Sequence, residues 1–418
     1  MTNYSEEKAH KSNLLVLNVH TCVLSYIFLI LPFFDMLNGL LVVRGYLPEG
    51  FLGSPSQISR LFAIILLLGV NFSKRIPHFY LMIFMLLLVI ETIAAFYHQK
   101  IVGLLFGYVT VSKVLYMYLL FITLRRYAFN HLEDICKFLK FNVNLISGSI
   151  VFGYITGLGN STYGWGTGTK GFFSSGNGLG IYIGVAAIVL VALRHYRFYQ
   201  HTNMLTIVLS GLALILVGTK TSLILFILLF ITVVLQLRLR LLVLPALLGF
   251  FIYVWDFLVF SVNMFFDIII SRYEKSESLL QYLFSYRDIY VRDAFSQFFQ
   301  QDIGPLRWLF GAGSYVSFQN PRQVYFYDTL ETDMVDLLFM YGIIGVTAYL
   351  IIIFYGLVLH FNRPIMFLGF LMLSLHSIIA GHVLFNGMSS TLFIILFVFG
   401  VAIKSNYDVK KRNLIITQ

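Results

Sequence analysis

The amino-acid sequence predicts an all-α, polytopic integral membrane protein with about 12 transmembrane helices and one large extracytoplasmic loop. Hydrophobic residues make up 59% of the chain and charged residues only 11%, whereas soluble domains carry about 25% charged residues. The mean hydropathy is +0.84. The apolar runs extend over about 20 residues, which is the length of a helix that crosses a bilayer. Because a helix satisfies its own backbone polar groups in hydrocarbon, helices are predicted rather than the short alternating strands of a barrel.

The candidate spans are apolar runs that end at charged or turn-forming residues. They fall near residues 14–34, 59–73, 79–97, 101–124, 141–159, 177–193, 203–218, 221–237, 241–262, 333–359, 364–380 and 383–403. The first run is too long for the core of a signal peptide and has no clear small-residue cleavage site, so it is kept as a span. The runs divide the chain into an N-terminal membrane bundle of about nine spans at 1–262, a loop at 263–332, and a C-terminal part at 333–418 with about three spans and a tail.

The distribution of basic residues predicts the orientation in the membrane. The formal net charge is +10, but Lys and Arg occur in short clusters between apolar runs, so nucleic acid is not expected as a partner. With the N-terminus in the cytoplasm every inside connection is basic, which favours cytoplasmic N- and C-termini. The chain has two cysteines, Cys22 and Cys136, and this number excludes a disulfide framework.

The segment 263–332 is too long for a simple connection on the outer side, and loops of this length are usually functional. Apolar and aromatic residues between Leu279 and Phe299 recur at helical spacing, with most of the charged residues off that face. Such a pattern is typical of an amphipathic helix. The sequence therefore predicts a folded cap that lies on the membrane surface.

Two charges fall inside predicted spans, Glu91 in the third run and Lys113 in the fourth. Charges at membrane depth are energetically expensive and indicate either pairing or function. At ~1.5 Å per residue the two residues differ by about 6 Å in depth, which a lysine side chain can bridge. The sequence favours a structural ion pair between adjacent antiparallel spans, and a proton or substrate relay stays the alternative.

The start of the tenth run gathers carboxylates on the predicted outer side, namely Glu331, Asp333 and Asp336. Acidic residues in the first turn of a helix complement its dipole, so a capping role explains part of this cluster. Glu331 or Asp333 can also serve as a general base for a substrate hydroxyl. The sequence leaves both roles open.

Cations on the same predicted side are candidates for phosphate binding. Lys220 lies in the tight turn 218–222, and Arg287 and Arg292 lie in the outer loop. Arginine and lysine at a water-exposed mouth suit a pyrophosphate. Together with a general base they meet the minimum requirement for glycosyl transfer from a lipid diphosphate. No spacing of His, Cys and carboxylate residues indicates a metal site.

Several short motifs resemble the bacterial O-antigen polymerase and O-antigen ligase superfamily, which includes the Wzy-type polysaccharide polymerases. They are Gly171-Phe172-Phe173-Ser174-Ser175-Gly176-Asn177, Gly218-Thr219-Lys220-Thr221-Ser222, Leu309-Phe310-Gly311-Ala312-Gly313, the stretch from Glu331 to Gly345, and Gly381-His382-Val383-Leu384-Phe385. Their order along the chain, and their placement around one large outer loop between the ninth and tenth spans, are similar to those of this superfamily.

The resemblance implies transfer of a growing glycan from undecaprenyl diphosphate to a lipid-linked repeat unit, at the outer face of the bacterial cytoplasmic membrane. In that reaction Arg287, Arg292 and Lys220 would hold the diphosphate, and Glu331 or Asp333 would act on the acceptor hydroxyl. No cofactor and no metal are expected. The implied partners are the undecaprenyl-diphosphate-linked oligosaccharide, membrane lipid, and a chain-length regulator and a flippase of the same pathway.

Two departures from the family pattern distinguish the possible activities. The similar ligases carry a histidine where this chain has Glu331, which favours a polymerase over a ligase. Many members have arginine where this chain has Lys220, and lysine neutralises a phosphate without gripping it bidentately. An O-antigen ligase stays the first alternative. A lipid-linked oligosaccharide flippase or another transporter stays the second, although no internal repeat of the kind that transporters show is evident.

Overall fold

The described part of the molecule is helical. A computed structural model describes residues 21–48, 51, 53–72, 78–97, 101–163, 168–236, 274, 287–300, 305–314, 330, 332–379, 381 and 383–416. Within these residues the only β-type pairing is an isolated bridge between Ser161 and Thr169. The predicted all-α class is therefore confirmed. The predicted ninth span at 241–262 and most of the 263–332 loop lie outside the described residues.

Most of the helices follow the apolar runs of the sequence, and two fall within the segment predicted as the outer loop. They are α1 (Leu31–Val43), α2 (Pro55–Phe72), α3 (His78–Tyr97), α4 (Ile101–Thr156), α5 (Gly176–His195), α6 (Met204–Val217), α7 (Lys220–Gln236), α8 (Arg287–Gln300), α9 (Pro305–Phe310), α10 (Asp333–His360), α11 (Pro364–Ile379) and α12 (Gly387–Ile416). A π-helical turn, Tyr26–Ile30, leads into α1. The backbone leaves helical geometry at His131 inside α4, so this element consists of two helices that meet at a kink.

Several helices are suited to cross a membrane. By length and composition, six described segments qualify: Thr21–Val43, Gly103–Ala128, His131–Thr156, Gly176–His195, Asp333–His360 and Gly387–Ser405. Five shorter apolar helices accompany them: Pro55–Asn71, Met82–Phe96, Met204–Val217, Lys220–Val234 and Pro364–Ile379. Large apolar side chains cover the outside of the bundle, for example Ile65, Ile93 and Phe354, which are 63%, 62% and 69% exposed. An apolar outer surface of this extent is expected of a protein embedded in lipid.

Helix α5 forms the centre of the bundle. Every residue from Gly178 to Leu193 is buried, as expected for a helix that is apolar on all sides. It packs against α4, α6, α7, α11 and α12. Close approach to α7 depends on Gly184, where a Cβ would lie 2.5 Å from Leu225 Cβ. The central position of α5 places its N-terminus at the middle of one end of the bundle.

The first membrane helix is irregular near Pro32, and a neighbouring helix satisfies its backbone there. Proline has no N–H to donate to the carbonyl four residues earlier, that of Phe28. Asn142 of α4 donates its side-chain Nδ2 to the Phe28 carbonyl instead. Tyr182 of α5 holds the amide in place by donating to Asn142 Oδ1 at 2.5 Å. The irregular turn thereby fixes the direction in which α1 continues.

Candidate functional site

A polar cavity of about 200 Å³ lies at one end of the bundle. It forms where the second half of α1, the first turns of α2, the N-termini of α5 and α12, and the middle of the first half of α4 meet. Its lining comprises Asp35, Asn38, Val42, Pro48, Phe51, Ser54, Ser56, Gln57, Arg60, Lys113, Phe173, Ser174, Ser175, Phe385, Asn386, Gly387 and Met388. We refer to it below as the polar cavity.

Arg60 and Asp35 form an ion pair in the lining of this cavity. Arg60 donates one guanidinium N–H to Asp35 Oδ1 at 2.8 Å, and Ser56 donates its hydroxyl to the same oxygen at 2.5 Å. The guanidinium lies flat against Gly387, where a Cβ would collide with it. Lys113 lines the same cavity from α4. The lining therefore contains two cationic side chains and one carboxylate among the described residues.

Two helix N-termini add to the positive character of the polar cavity. Ser174 and Ser175 precede the first turn of α5, and Asn386 precedes α12. Asn386 Oδ1 accepts hydrogen bonds from the backbone N–H groups of Met388 and Ser389, at 3.1 and 3.2 Å. Helix N-termini carry a partial positive charge and favour anions. The cations and the helix ends together make the cavity suitable for a phosphate-bearing group.

An apolar groove adjoins the polar cavity between α2 and α4. It is lined by Leu61, Ile64, Val109 and Leu384, and it shares Arg60 and Lys113 with the polar cavity. Leu61 is 46% exposed on the outside of the bundle. The groove is small, about 30 Å³, and Leu61 is the part of its lining that faces the outside of the bundle. A polar headgroup with an apolar chain would find both environments side by side.

A second structured region lies where α10 is interrupted, and we refer to it as the broken-helix junction. Gly342 leaves helical geometry at φ 66° and ψ −165°. The interruption frees carbonyls of the preceding turn, and the segment after α9 satisfies them. Ala312 donates to the Phe339 carbonyl at 2.9 Å, and Gly313 donates to the Met340 carbonyl at 3.0 Å. A Cβ on Gly342 would collide with the backbone of Leu309.

Glu91 of α3 fastens the broken-helix junction. Its two carboxylate oxygens accept the Ser314 backbone N–H at 3.0 and 3.1 Å, and Oε1 also accepts the Tyr341 hydroxyl at 2.9 Å. The side chain is 2% exposed. It fits between Gly107 of α4 and Gly313, where a Cβ would lie 3.0 Å from Oε2. Both oxygens are thus engaged by the protein itself.

The structure does not bring Glu91 and Lys113 together as the sequence suggested. Glu91 contacts α4 at Gly107, and Lys113 lies about 9 Å further along that helix at ~1.5 Å per residue. Within the described part of the chain, the Glu91 carboxylate is taken up by Ser314 and Tyr341, and Lys113 lines the polar cavity. Depth along two helices was a poor guide because it does not include their rotation and tilt.

Asp333, a predicted catalytic residue, lies at the start of α10 and is fully buried. Its Oδ2 atom accepts the Ser377 hydroxyl at 2.6 Å and the backbone N–H groups of Val383 and Leu384 at 2.8 and 3.1 Å. Ser377 in turn contacts the Tyr349 hydroxyl at 2.7 Å. Asp333 therefore connects α10, α11 and the segment before α12. Glu331, the other predicted catalytic residue, lies outside the described residues.

Asp336, the third acidic residue of this cluster, accepts the Leu330 backbone N–H at 2.9 Å through its Oδ1 atom. The backbone N–H of Asp336 in turn donates to the Thr332 carbonyl at 2.9 Å. Both contacts stabilise the first turn of α10. The Asp336 carboxylate thus ties the segment before α10 to the first turn of this helix.

None of the three cations predicted to bind a diphosphate lines the polar cavity. Lys220 begins α7, in a turn that packs against the N-terminus of α5 through Thr219 and Gly180. Arg287 and Arg292 lie on α8, where Arg287 is buried and Arg292 is exposed. These two arginines face different sides of their helix and do not form one cluster.

Asp35 and Arg60 were missed in the sequence, although a signal was present. Arg60 falls inside the second apolar run and Asp35 directly follows the first. A carboxylate and a cation on consecutive spans, both near the same end, are candidates for a pair by the argument that was applied to Glu91 and Lys113. The motif residues Ser174, Ser175 and Phe385 do line the cavity.

The fold and the cavity define an integral membrane protein of helical type with a cationic, partly open cavity at one end of its bundle. No group of three or more His, Cys, Asp and Glu residues in the described part of the chain is arranged to hold a metal ion. No protein-family model, no curated protein and no solved structure matches this chain.

Proposed function

We propose that the chain is a polysaccharide polymerase of the O-antigen, capsule or exopolysaccharide type. It transfers a glycan from undecaprenyl diphosphate to a lipid-linked repeat unit. The observation that carries this proposal is the polar cavity with its two cations and two helix N-termini, beside an apolar groove that reaches the lipid-facing surface. A polyprenyl diphosphate has the matching chemistry, because a polyanionic headgroup is joined directly to an apolar chain.

In the proposed complex Arg60 and Lys113 hold the diphosphate in the polar cavity. The first isoprene units lie against the lipid-facing side of Leu61, at the outer edge of the groove. The cations stabilise the charge that develops on the diphosphate as it leaves the sugar. A guanidinium that is already fixed by Asp35 and by the surface of Gly387 needs little reorganisation for this role. No nucleotide sugar and no metal take part.

The proposed orientation follows from the basic residues of the sequence. Both termini lie in the cytoplasm, about 12 helices cross the bacterial inner membrane, and the 263–332 loop lies outside. In this orientation the helix ends that form the polar cavity lie at the outer face. Lipid-linked repeat units are therefore met at the outer membrane–water boundary, where the loop can hold the glycan.

The residues predicted from the sequence keep separate roles in this proposal. Glu331 stays a prediction for the acceptor hydroxyl. Asp333 is assigned a positioning role, because it is fully buried, does not line the polar cavity, and connects three segments through its Oδ2 atom. Lys220, Arg287 and Arg292 stay predictions for contacts with the glycan or diphosphate outside the polar cavity.

Purified protein in lipid nanodiscs tests the activity directly. The substrate is a lipid-linked single repeat unit, taken from a strain in which the gene for this protein is deleted. A polymerase converts it into a ladder of longer products. A ligase gives no ladder without its own acceptor, and a flippase changes no covalent bond. In cells, loss of a polymerase leaves single repeat units, whereas loss of a ligase leaves long glycans on the carrier. If the purified protein in nanodiscs gives no ladder of products, the proposal is wrong.

The topology has its own test. Reporter fusions or cysteine labelling after Lys404 should report the cytoplasm, and the same probes near Gln300 should report the outer side. The opposite result at either position would overturn the orientation.

A further inference from the structure

The polar cavity contains a carboxylate with acceptor capacity to spare. Asp35 Oδ1 accepts both the Ser56 hydroxyl and an Arg60 N–H, at 2.5 and 2.8 Å. Among the described residues, none donates a hydrogen bond to Oδ2. The Asp35 side chain lines the polar cavity and is 10% exposed. A molecule in the cavity can therefore reach this carboxylate.

The buried carboxylates are arranged differently. Glu91 uses both oxygens within the broken-helix junction. Asp333 also takes its three hydrogen bonds on one oxygen, Oδ2, but it has no exposed surface. Asp336 is fully buried as well, and its Oδ1 atom accepts the Leu330 N–H. None of these carboxylates lines the polar cavity. Asp35, which is half-buried, is the one described carboxylate that combines a fixed orientation with access to the polar cavity.

We propose that Asp35 is a catalytic carboxylate that accepts the proton of the acceptor hydroxyl, an assignment that rests on the proposed function. In the reaction the acceptor oxygen forms a bond to the anomeric carbon of the donor glycan. The bond from that carbon to the diphosphate oxygen breaks, and undecaprenyl diphosphate leaves with the electron pair. The hydroxyl proton passes to Asp35 and from there to water, so the carboxylate is regenerated.

The geometry around Asp35 explains how one site serves both halves of the reaction. Arg60 holds Oδ1 of Asp35 and lines the polar cavity beside Lys113. The guanidinium therefore contacts the proposed proton acceptor and also lines the cavity in which the diphosphate is proposed to bind. Ser56 adds a second contact to the same oxygen, which fixes the direction of the carboxylate.

The test compares turnover with binding in the full-length protein in nanodiscs. Asp35→Asn keeps the shape and removes the proton acceptor, so turnover of the lipid-linked repeat unit should fall by about 10²–10⁴. Affinity for undecaprenyl diphosphate, the probe for the headgroup site, should stay close to that of the unmodified protein. Asp35→Glu should recover part of the turnover. Asp134→Asn, which changes a carboxylate near the kink at His131, is the matched control and should leave turnover unchanged.

The results separate the assignment from the proposed function. A ladder from Asp35→Asn at the unmodified rate overturns the assignment while the polymerase function stands. Loss of undecaprenyl diphosphate binding together with turnover also overturns it, because Asp35 then serves only to hold Arg60. A Glu331→Gln variant that loses turnover beside a fully active Asp35→Asn variant gives the role to Glu331. Unmodified protein that binds no undecaprenyl diphosphate and makes no ladder refutes the function itself.

Discussion

The broken-helix junction contains a buried carboxylate and the polar cavity a half-buried one, and the two carboxylates are used in opposite ways. At the junction Glu91 accepts hydrogen bonds on both oxygens from Ser314 and Tyr341. In the cavity Asp35 receives its donors, Ser56 and Arg60, on one oxygen. The first arrangement closes a gap between three segments of the chain. The second leaves both an open volume and acceptor capacity.

The difference distinguishes a carboxylate that stabilises the fold from a carboxylate that can bind a ligand. A buried polar group that is fully satisfied by the protein stabilises the fold, since removing one partner leaves the other unpaired. A buried polar group that lines an open cavity can still bind a ligand. Charge at membrane depth is therefore ambiguous in the sequence, and the hydrogen-bond partners resolve the ambiguity.

Among the variants that compare the polar cavity with the broken-helix junction, Arg60→Ala should have the largest effect. Arg60→Ala removes the cation that contacts Asp35 and the proposed diphosphate, so turnover should fall by about 10²–10³, as expected for a lost transition-state donor. The amount of protein in the membrane should stay normal. Arg125→Ala, an exposed arginine of α4 remote from the cavity, is the control and should keep full turnover. If Arg60→Ala kept the same turnover as Arg125→Ala, the polar cavity would have no more part in the chemistry than the junction has.

The next effect should appear at Gly342 of the junction. Gly342→Ala places a side chain at φ 66° and against the Leu309 backbone, and a strained backbone alone costs about 1–3 kcal/mol. Thermal unfolding in detergent should shift to lower temperature by a corresponding amount. Gly69→Ala is the matched control, because a Cβ there meets nothing within 4 Å and a helix interior gains about 0.5–1 kcal/mol from the change. An unchanged unfolding temperature in Gly342→Ala would argue against the junction.

The smallest effect concerns the coupling between Glu91 and Lys113. Glu91→Gln should lower stability by about 1–3 kcal/mol, because the amide cannot accept all the bonds of the carboxylate.

Combining Glu91→Lys with Lys113→Glu should not restore the protein level in the membrane, since the two residues lie in different surroundings. Their coupling energy in a double-mutant cycle should fall within the error of about 0.3–0.5 kcal/mol. Recovery in the double variant would show that the two residues pair after all.

Much of the fold could be predicted from apolar runs. The runs at 177–193, 203–218 and 364–380 match α5, α6 and α11 within a few residues, because charged and turn residues end each of them. The runs at 101–124 and 141–159 were separated by a polar stretch that was expected to be a connection. That stretch is helical, and the two runs form α4 with a kink at His131. A group of charged residues is thus a weak indication that a helix ends, when those residues themselves favour helix.

The candidate site could be predicted only in part. Motif residues such as Ser174, Ser175 and Phe385 were singled out by their resemblance, and they line the polar cavity. Asp35 and Arg60 carry no local motif, and their pairing depends on how α1 and α2 pack. Their positions near the same end of consecutive spans made a pair possible, but helix rotation and tilt are set by packing across the whole bundle. Spacing along one helix therefore does not show which charges meet.

The central claim is that a lipid diphosphate binds in the polar cavity, and protection from cysteine labelling tests it most directly. Gln57→Cys places a thiol in the cavity lining, and Tyr46→Cys places one on the 76% exposed surface after α1; both variants are made with Cys22→Ser. Each is labelled by a maleimide in nanodiscs with and without undecaprenyl diphosphate. We predict that the lipid slows labelling at position 57 and leaves position 46 unchanged. Equal labelling at position 57 with and without saturating lipid would contradict the account.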